Sequence, residues 1–228
     1  MASRSKATAS VKGEYIETET GNKISRNAQV LGAKHIVLAG KCVIQAQSII
    51  RGDLIRPLPP SKPLDGLASG AANAKKPSQP SSVHLGRYVF VSPNCTLSPP
   101  SRVVQNKDTG VGEVTYLPMR ISDYVFIGPG CNIRAAEIKS GVHIGAGVTV
   151  GNMCMVKENV KILDGAVLPA GTVWASGSVV GGSPARVVGE LAEGWGGGGG
   201  SASGATGGDD LVGVRCRERW ASVGNKRS

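Results

Sequence analysis

Residues 121–180 divide as ISDYVF IGPGCN IRAAE IKSGVH IGAGVT VGNMCM VKENVK ILDGAV LPAGTV WASGSV V, and this division decides the fold. Every block opens on Ile, Val or Leu except the one opening on Trp174, and the five-residue block from Ile133 to Ile138 is the single slip. Four residues after most opening positions stands a compact side chain: Val125, Cys131, Val142, Val148, Cys154, Val160, Ala166, Thr172 and Ser178. Glycine, Asn or Asp falls between, as in Ile127-Gly-Pro-Gly and Ile162-Leu-Asp-Gly. A period of six suits neither an α-helix at 3.6 nor irregularly spaced hairpins, whereas hexapeptide repeats form parallel β-helices.

Each hexad then reads as a short strand and a corner. The aliphatic residue points into a narrow prism, the compact residue fits beside the corner, and glycine or Asn supplies the φ > 0 turn. Three hexads close one coil of about 18 residues, and coils stack at roughly 4.8 Å. Coils of this kind wind left-handed, a regularity of such repeats that runs against the usual crossover rule. Upstream the same template fits Ile24 and Val30, then Leu38, Ile44 and Ile50, then Leu85, Val91 and Leu97. The expectation is an all-β, left-handed parallel β-helix of about six to seven coils, roughly 30 Å long. An aliphatic core of this kind explains an aromatic content of only 4%.

The expected organisation is a disordered N-terminus at 1–13, one β-helical domain at 14–193, and a glycine-rich linker with a basic tail at 194–228. Within the domain, residues 56–82 hold prolines among Ser, Ala and Gly, a composition that cannot bury a core and reads as a mobile insert. Residues 103–120 form a second, shorter excursion. Of the net charge of +10, +3 lies in residues 1–12, +3 in 56–84 and +2 in 194–228. The basicity therefore belongs mostly to segments outside the repeats. No basic face with aromatic stacking partners emerges, so nucleic-acid binding is not expected. No apolar run approaches 18 residues and the N-terminus lacks a signal-peptide core, so a soluble, cytoplasmic protein without membrane insertion is expected.

Cys42, Cys95, Cys131 and Cys154 all occupy the compact slot, where cysteine behaves as a small apolar residue. The fifth, Cys216, lies in the tail, and no CxxC occurs. Reduced structural thiols are expected, not a metal site or disulfides. Hexapeptide β-helices host two well-known chemistries. Ile50-Arg51-Gly52-Asp53 resembles a segment of γ-class carbonic anhydrases, yet a zinc site needs three converging histidines. Here His35, His84 and His143 are scattered, each just before an aliphatic residue. Arg51 and Asp53 read instead as a pair adjacent in the stack, structural or placed at an interface. The alternative reading is a hexapeptide-repeat enzyme of one of these two kinds, and an acyltransferase needs a histidine general base on an exposed loop beside a cleft. None lies in 103–120, and His84 is the only candidate. The expectation is no catalytic residue, no cofactor and no metal.

Specific words of the sequence then converge. Tyr15-Ile16-Glu17-Thr18, Gly21-Asn22-Lys23-Ile24-Ser25-Arg26, Ile49-Ile50-Arg51-Gly52-Asp53-Leu54, Val142-His143-Ile144-Gly145, Lys161-Ile162-Leu163-Asp164 and Gly189-Glu190-Leu191 occur in order. In them the chain resembles the dynactin subunit 5 family. That resemblance implies a non-catalytic scaffold and adaptor in the dynactin pointed-end complex, supporting cargo attachment in microtubule-based transport. It further implies side-by-side assembly with dynactin subunit 6, near dynactin subunit 4 and the pointed-end actin-related protein, at a cytoplasmic, cytoskeletal address. Two departures stand out. Residues 56–82 have no counterpart in the family, and where the family continues into a helical segment this chain enters polyglycine at Gly196.

Overall fold

The structure is a computed structural model describing residues 14–55, 81–105, 112–191 and 211–223. Within it the hexads wind into three sheets, one of nine strands and two of six, whose coil-to-coil pairs are parallel, wrapped as a parallel β-helix. The opening residues stack in three inward columns. The first face carries Ile24, Ile44, Val91, Ile127, Ile144, Ile162 and Val180. The second carries Val30, Ile50, Leu97, Ile133, Val150 and Leu168. Leu38, Leu85, Ile121, Ile138, Val156 and Trp174 fill the third. The expected number of coils follows from these columns.

The five-residue block also has a visible consequence. Ile121 pairs with Ile138, Ile127 with Ile144 and Ile133 with Val150, each 17 residues on, while later pairs such as Ile138 with Val156 are 18 apart. One shortened corner shifts a whole coil without breaking any column. Nearly every residue of these columns from Ile44 to Val180 is sealed from solvent, each burial contributing about 1.5–3 kcal/mol. Val125, Cys131, Val142, Val148, Cys154, Val160 and Ala166 are sealed in the compact slots too.

Most corners use left-handed backbone, and not only at Gly or Asn. Lys41, Gln47, Tyr88, Tyr124 and Met153 also have positive φ. Tyr88 and Tyr124 occupy equivalent corners, and their rings stack 5.3 Å apart. That contact offsets backbone strain that a non-glycine residue would otherwise carry.

The first face alone is closed at both ends by antiparallel strands, Tyr15–Glu17 at one end and Ala185–Glu190 at the other. These remove two of the open edges that a parallel stack exposes. Both excursions leave from the corner between the second and third faces, one coil apart.

Three expected boundaries change. Ser81 and Ser82 belong to the folded body and not to the insert: the Ser82 hydroxyl donates to the Leu54 carbonyl at 2.6 Å, pinning the insert's two ends together. The second excursion is an antiparallel hairpin pairing Ser101–Gln105 with Gly112–Tyr116. Met119 and Arg120 are already back in the third face, with Met119 fully buried. Asn152 holds the hairpin base, accepting from the Ser101 N–H at 2.9 Å and donating to the Ser101 carbonyl at 2.6 Å. The third change is in the tail. Instead of lacking structure throughout, it contains a helix, α1, at Leu211–Ser222. The readings made on 1–13, 56–80 and 194–210 fall outside the described residues.

Candidate interaction surface

Arg51 and Asp53 meet as a bidentate pair, Arg51 Nε to Asp53 Oδ1 at 2.9 Å and Arg51 Nη2 to Asp53 Oδ2 at 2.8 Å. They lie two residues apart along one segment rather than on neighbouring rungs. The guanidinium holds the Asp53 carboxyl below the usual carboxylate range. Both side chains remain over a third exposed. The pair stands where the chain leaves the second face toward the insert, so it fixes the exit direction.

The histidines do not converge. His35 ends a 3-10 turn just before the third face, and His84 lies on that face, in register with Val37 and Arg120. His143 lies on the first face, its ring stacked 4.9 Å from Phe126. Among the described residues, no three His, Cys, Asp or Glu side chains come together in a metal-binding cluster. His84 borders a cleft of about 490 Å³ with Gly86, Arg120, Asp123, Glu137 and Ser140. Its acidic members are engaged: Asp123 with Arg87 and Glu137 with Lys139.

The cysteines share one arrangement. Each slot thiol donates to a carbonyl of the next coil: Cys42 to Gly86 at 2.9 Å, Cys95 to Gly128 at 3.0 Å, Cys131 to Gly145 at 3.0 Å and Cys154 to Pro169 at 2.8 Å. Burial pushes the Cys42 thiol up to about 11, so it stays protonated and unreactive at neutral pH.

The built surface is the outside of the first face. Its outward column runs Lys23, Val43, Phe90, Phe126, His143, Lys161, Val179. Helix α1 covers its middle. Cys216 is buried with Val43, Phe90 and Phe126, while Trp220, Val223 and Tyr88 pack against the cluster. Cys216, Trp220 and Val223 follow at spacings of four and three, one face of a helix. Trp220 Nε1 donates to the Gly21 carbonyl at 2.8 Å. Lys23 Nζ donates to the carbonyls of Trp220 and Val223, placing a cation on the C-terminal end of α1, where the helix dipole favours one. Arginines lie over the rings: Arg219 is 3.9 Å from the Phe126 centroid and Arg217 is 5.6 Å from that of Tyr124. His143 is pushed down to about 4, first by burial and then by Lys161, Arg219 and Arg215.

The family model of dynactin subunit 5 matches residues 76–196, over half of the chain. The chain belongs to the dynactin subunit 5 family. It is 33% identical over 129 residues to dynactin subunit 5 of Dictyostelium discoideum, a match covering 57% of this chain and 49% of that protein. An uncharacterized protein of the same organism is 28% identical over 184 residues, covering 78% of this chain and 65% of its own length. The chain thus spans about half the length of the first of these relatives. Among solved structures, a hexapeptide transferase family protein from Anaplasma phagocytophilum matches with a TM-score of 0.52 and 13% identity, over 88% of this chain and 89% of that one. At that identity the likeness concerns the fold alone, the left-handed β-helix.

Membership in the dynactin subunit 5 family fits the words that carried the resemblance, several of which sit at structural joints. Lys23 of the Gly21–Arg26 word caps α1, and Asp164 of the Lys161–Asp164 word accepts the Ala146 N–H at 2.8 Å from the coil before. The docked helix was missed in the sequence. Its signal was there: the chain's only two phenylalanines, Phe90 and Phe126, both stand immediately before inward aliphatic residues, so both must point outward.

Proposed function

We propose that this chain is a non-catalytic structural and adaptor subunit of the dynactin pointed-end complex, supporting attachment of dynein–dynactin to cargo. The observation that carries this reading is the family match across residues 76–196. Its partners on this reading are dynactin subunit 6, dynactin subunit 4 and the pointed-end actin-related protein, and its address is cytoplasmic and cytoskeletal. In keeping with that, no helix of the described residues is long and apolar enough to cross a membrane. Lateral assembly with another β-helix would use the second face, whose outward column is Gln29, Ile49, Thr96, Asn132, Thr149 and Val167. Short side chains there leave a flat surface that a second prism can approach. The first face is occupied by α1, and the third carries charge at the centre of its outward column, in Arg120 and Glu137.

The chemistry supports the same reading. A general base must reach the proton it takes and be tuned toward neutrality. His143 is pushed the wrong way beneath α1. The test is affinity purification of the tagged full chain from its own cells. Recovery with dynactin subunit 6 and dynactin subunit 4 is expected. Recovery as a free homotrimer, with acetyl transfer from acetyl coenzyme A, would overturn the reading in favour of a hexapeptide acyltransferase.

A further inference from the structure

The cleft on the third face holds charges that do not cancel. His84 and Arg120 stand in register on adjacent rungs of the outward column, and both line the cavity of about 490 Å³. Neither can turn away at the backbone. Val83 and Leu85 flank His84, Met119 and Ile121 flank Arg120, and all four are sealed in the interior. Asp123 and Glu137 line the same cavity, but each carboxylate already has its own cation. Asp123 Oδ2 meets Arg87 Nη2 at 3.3 Å while its Oδ1 accepts the Arg87 N–H at 2.7 Å, and Glu137 Oε1 meets Lys139 Nζ at 3.0 Å. Among the described residues, the side chains of Arg120 and His84 make no hydrogen bond or ion pair. Ser81, Ser122 and Ser140 line the cavity too, and their hydroxyls make none either. Ser81 precedes the strand Val83–Arg87, whereas Ser122 and Ser140 lie beyond the ends of Met119–Ile121 and Glu137–Ile138. Donors therefore come from both ends of the strands, around a cation without a counterion.

These donors sort the ligands. A planar carboxylate satisfies the Arg120 fork and little else. A phosphate monoester carries nearly two negative charges at neutral pH and three terminal oxygens aimed in different directions, so one group can accept from Arg120 and from the neighbouring rung together. The cavity is much larger than a phosphate and falls within the size range of small-molecule sites. The rest of its wall is mostly polar, with Glu137 and the serine hydroxyls as partners for a hydroxylated body. We infer that this cleft is a binding site for a phosphate monoester of a small hydroxylated molecule, with Arg120 and His84 as its anion seat. A subunit of a larger assembly can hold such a ligand as readily as an isolated protein, so the purification test above and the ligand test below fail independently.

The test is isothermal titration calorimetry of the full chain with glycerol 3-phosphate, beside glycerol, sodium sulfate at matched ionic strength and a Gly-phosphoserine-Gly peptide. A dissociation constant on the order of 1 mM is expected for glycerol 3-phosphate, as a few charge-assisted hydrogen bonds in an open cleft provide. Arg120→Ala should weaken it about tenfold or more, and Arg120→Lys by less, since the charge stays and the planar fork is lost. His84→Ala should weaken it severalfold. Both residues are exposed, so these variants should melt with the parent. Glu137→Gln removes a carboxylate from the same wall and should tighten binding severalfold, a gain that misfolding cannot produce. No saturable binding of glycerol 3-phosphate, equal binding of glycerol, equal competition by sulfate, or unchanged affinity in Arg120→Ala would each overturn the inference. Tighter binding of the peptide than of glycerol 3-phosphate would overturn the small-molecule source and assign the seat to a phosphorylated side chain.

Discussion

Gly145 and Gly147 lie two residues apart in one corner, yet substitution by alanine should act on them through different physics. Gly145 has ordinary backbone, but a Cβ there would lie 2.7 Å from the Asp164 N and 2.9 Å from the Leu163 C, and would collide with Asp164 Oδ1. Backbone of the next coil must move, an overpacking cost of about 1–3 kcal/mol. The displaced Asp164 also loses the hydrogen bond it accepts from Ala146, about 1 kcal/mol more. Gly147 is the reverse case: φ is +64° and no atom lies within 4 Å of its Cβ position. Alanine there meets only left-handed strain, about 1–2 kcal/mol. Gly145→Ala should therefore cost about 2–4 kcal/mol and Gly147→Ala about half that. At roughly 2–4 °C of Tm per kcal/mol for a chain of this size, thermal melts followed by circular dichroism separate the two. Adding Asp164→Ala to Gly145→Ala should cost less than Asp164→Ala alone, because the Ala146 hydrogen bond is already lost and removing Oδ1 relieves the side-chain part of the clash. If Gly147→Ala melts at or below Gly145→Ala, close stacking of the coils does not limit this corner.

Four further outcomes follow from the same geometry. Ile144→Asp puts an unpaired carboxylate between Ile127 and Ile162, where nothing is exposed, and should leave little folded protein in a melt, whereas Lys157→Glu should stay within about 0.5 kcal/mol of the parent. Deleting residues 57–80 should leave the melting temperature nearly unchanged, since Leu54 and Ser82 already touch across its base; a collapse in Tm would show that the segment packs. Arg51→Ala should shift Tm only slightly, since the pair is exposed, and a large loss of co-purified partner at unchanged Tm would place it at an interface. His143 predicts a pH dependence. Its folded value of about 4 lies below the ordinary 6.5, so the unfolded chain binds the proton first; stability is unaffected above about pH 6.5 and falls steadily from there to about 4. His143→Phe should flatten that part of the Tm–pH curve, and an unchanged slope would show that another group titrates there.

What could be read from the sequence was whatever every coil repeats. Each inward position meets the same narrow interior, so Ile121, Ile127 and their successors carry a period that survives even the shortened block at Ile133. Cys95, Cys131 and Cys154 could be placed for the same reason, since the slot beside a corner admits only a compact side chain. Features that occur once had no period to betray them. Tyr88 and Tyr124 hold left-handed corners that sequence alone would assign to Gly or Asn, because the ring stack that compensates them is tertiary. Helix α1 was hidden behind a glycine-rich approach, although Cys216, Trp220 and Val223 already had helical spacing.

Outward positions obey a different rule, and it sorts the three faces. An outward residue is constrained only by what covers it, so a bulky apolar run in an outward column marks a cover. The first face has such a run in Val43, Phe90 and Phe126, and α1 is on it. The third face runs Val37, His84, Arg120, Glu137, Met155, Val173, with charge at its centre and no continuous apolar strip. The second face has Thr96, Asn132 and Thr149 at its centre, side chains that hydrogen-bond across a flat contact without needing to be hidden when alone. A permanent partner would leave an apolar imprint like that of α1. A polar, flat column suits a neighbour met after folding, as the proposed lateral assembly would require.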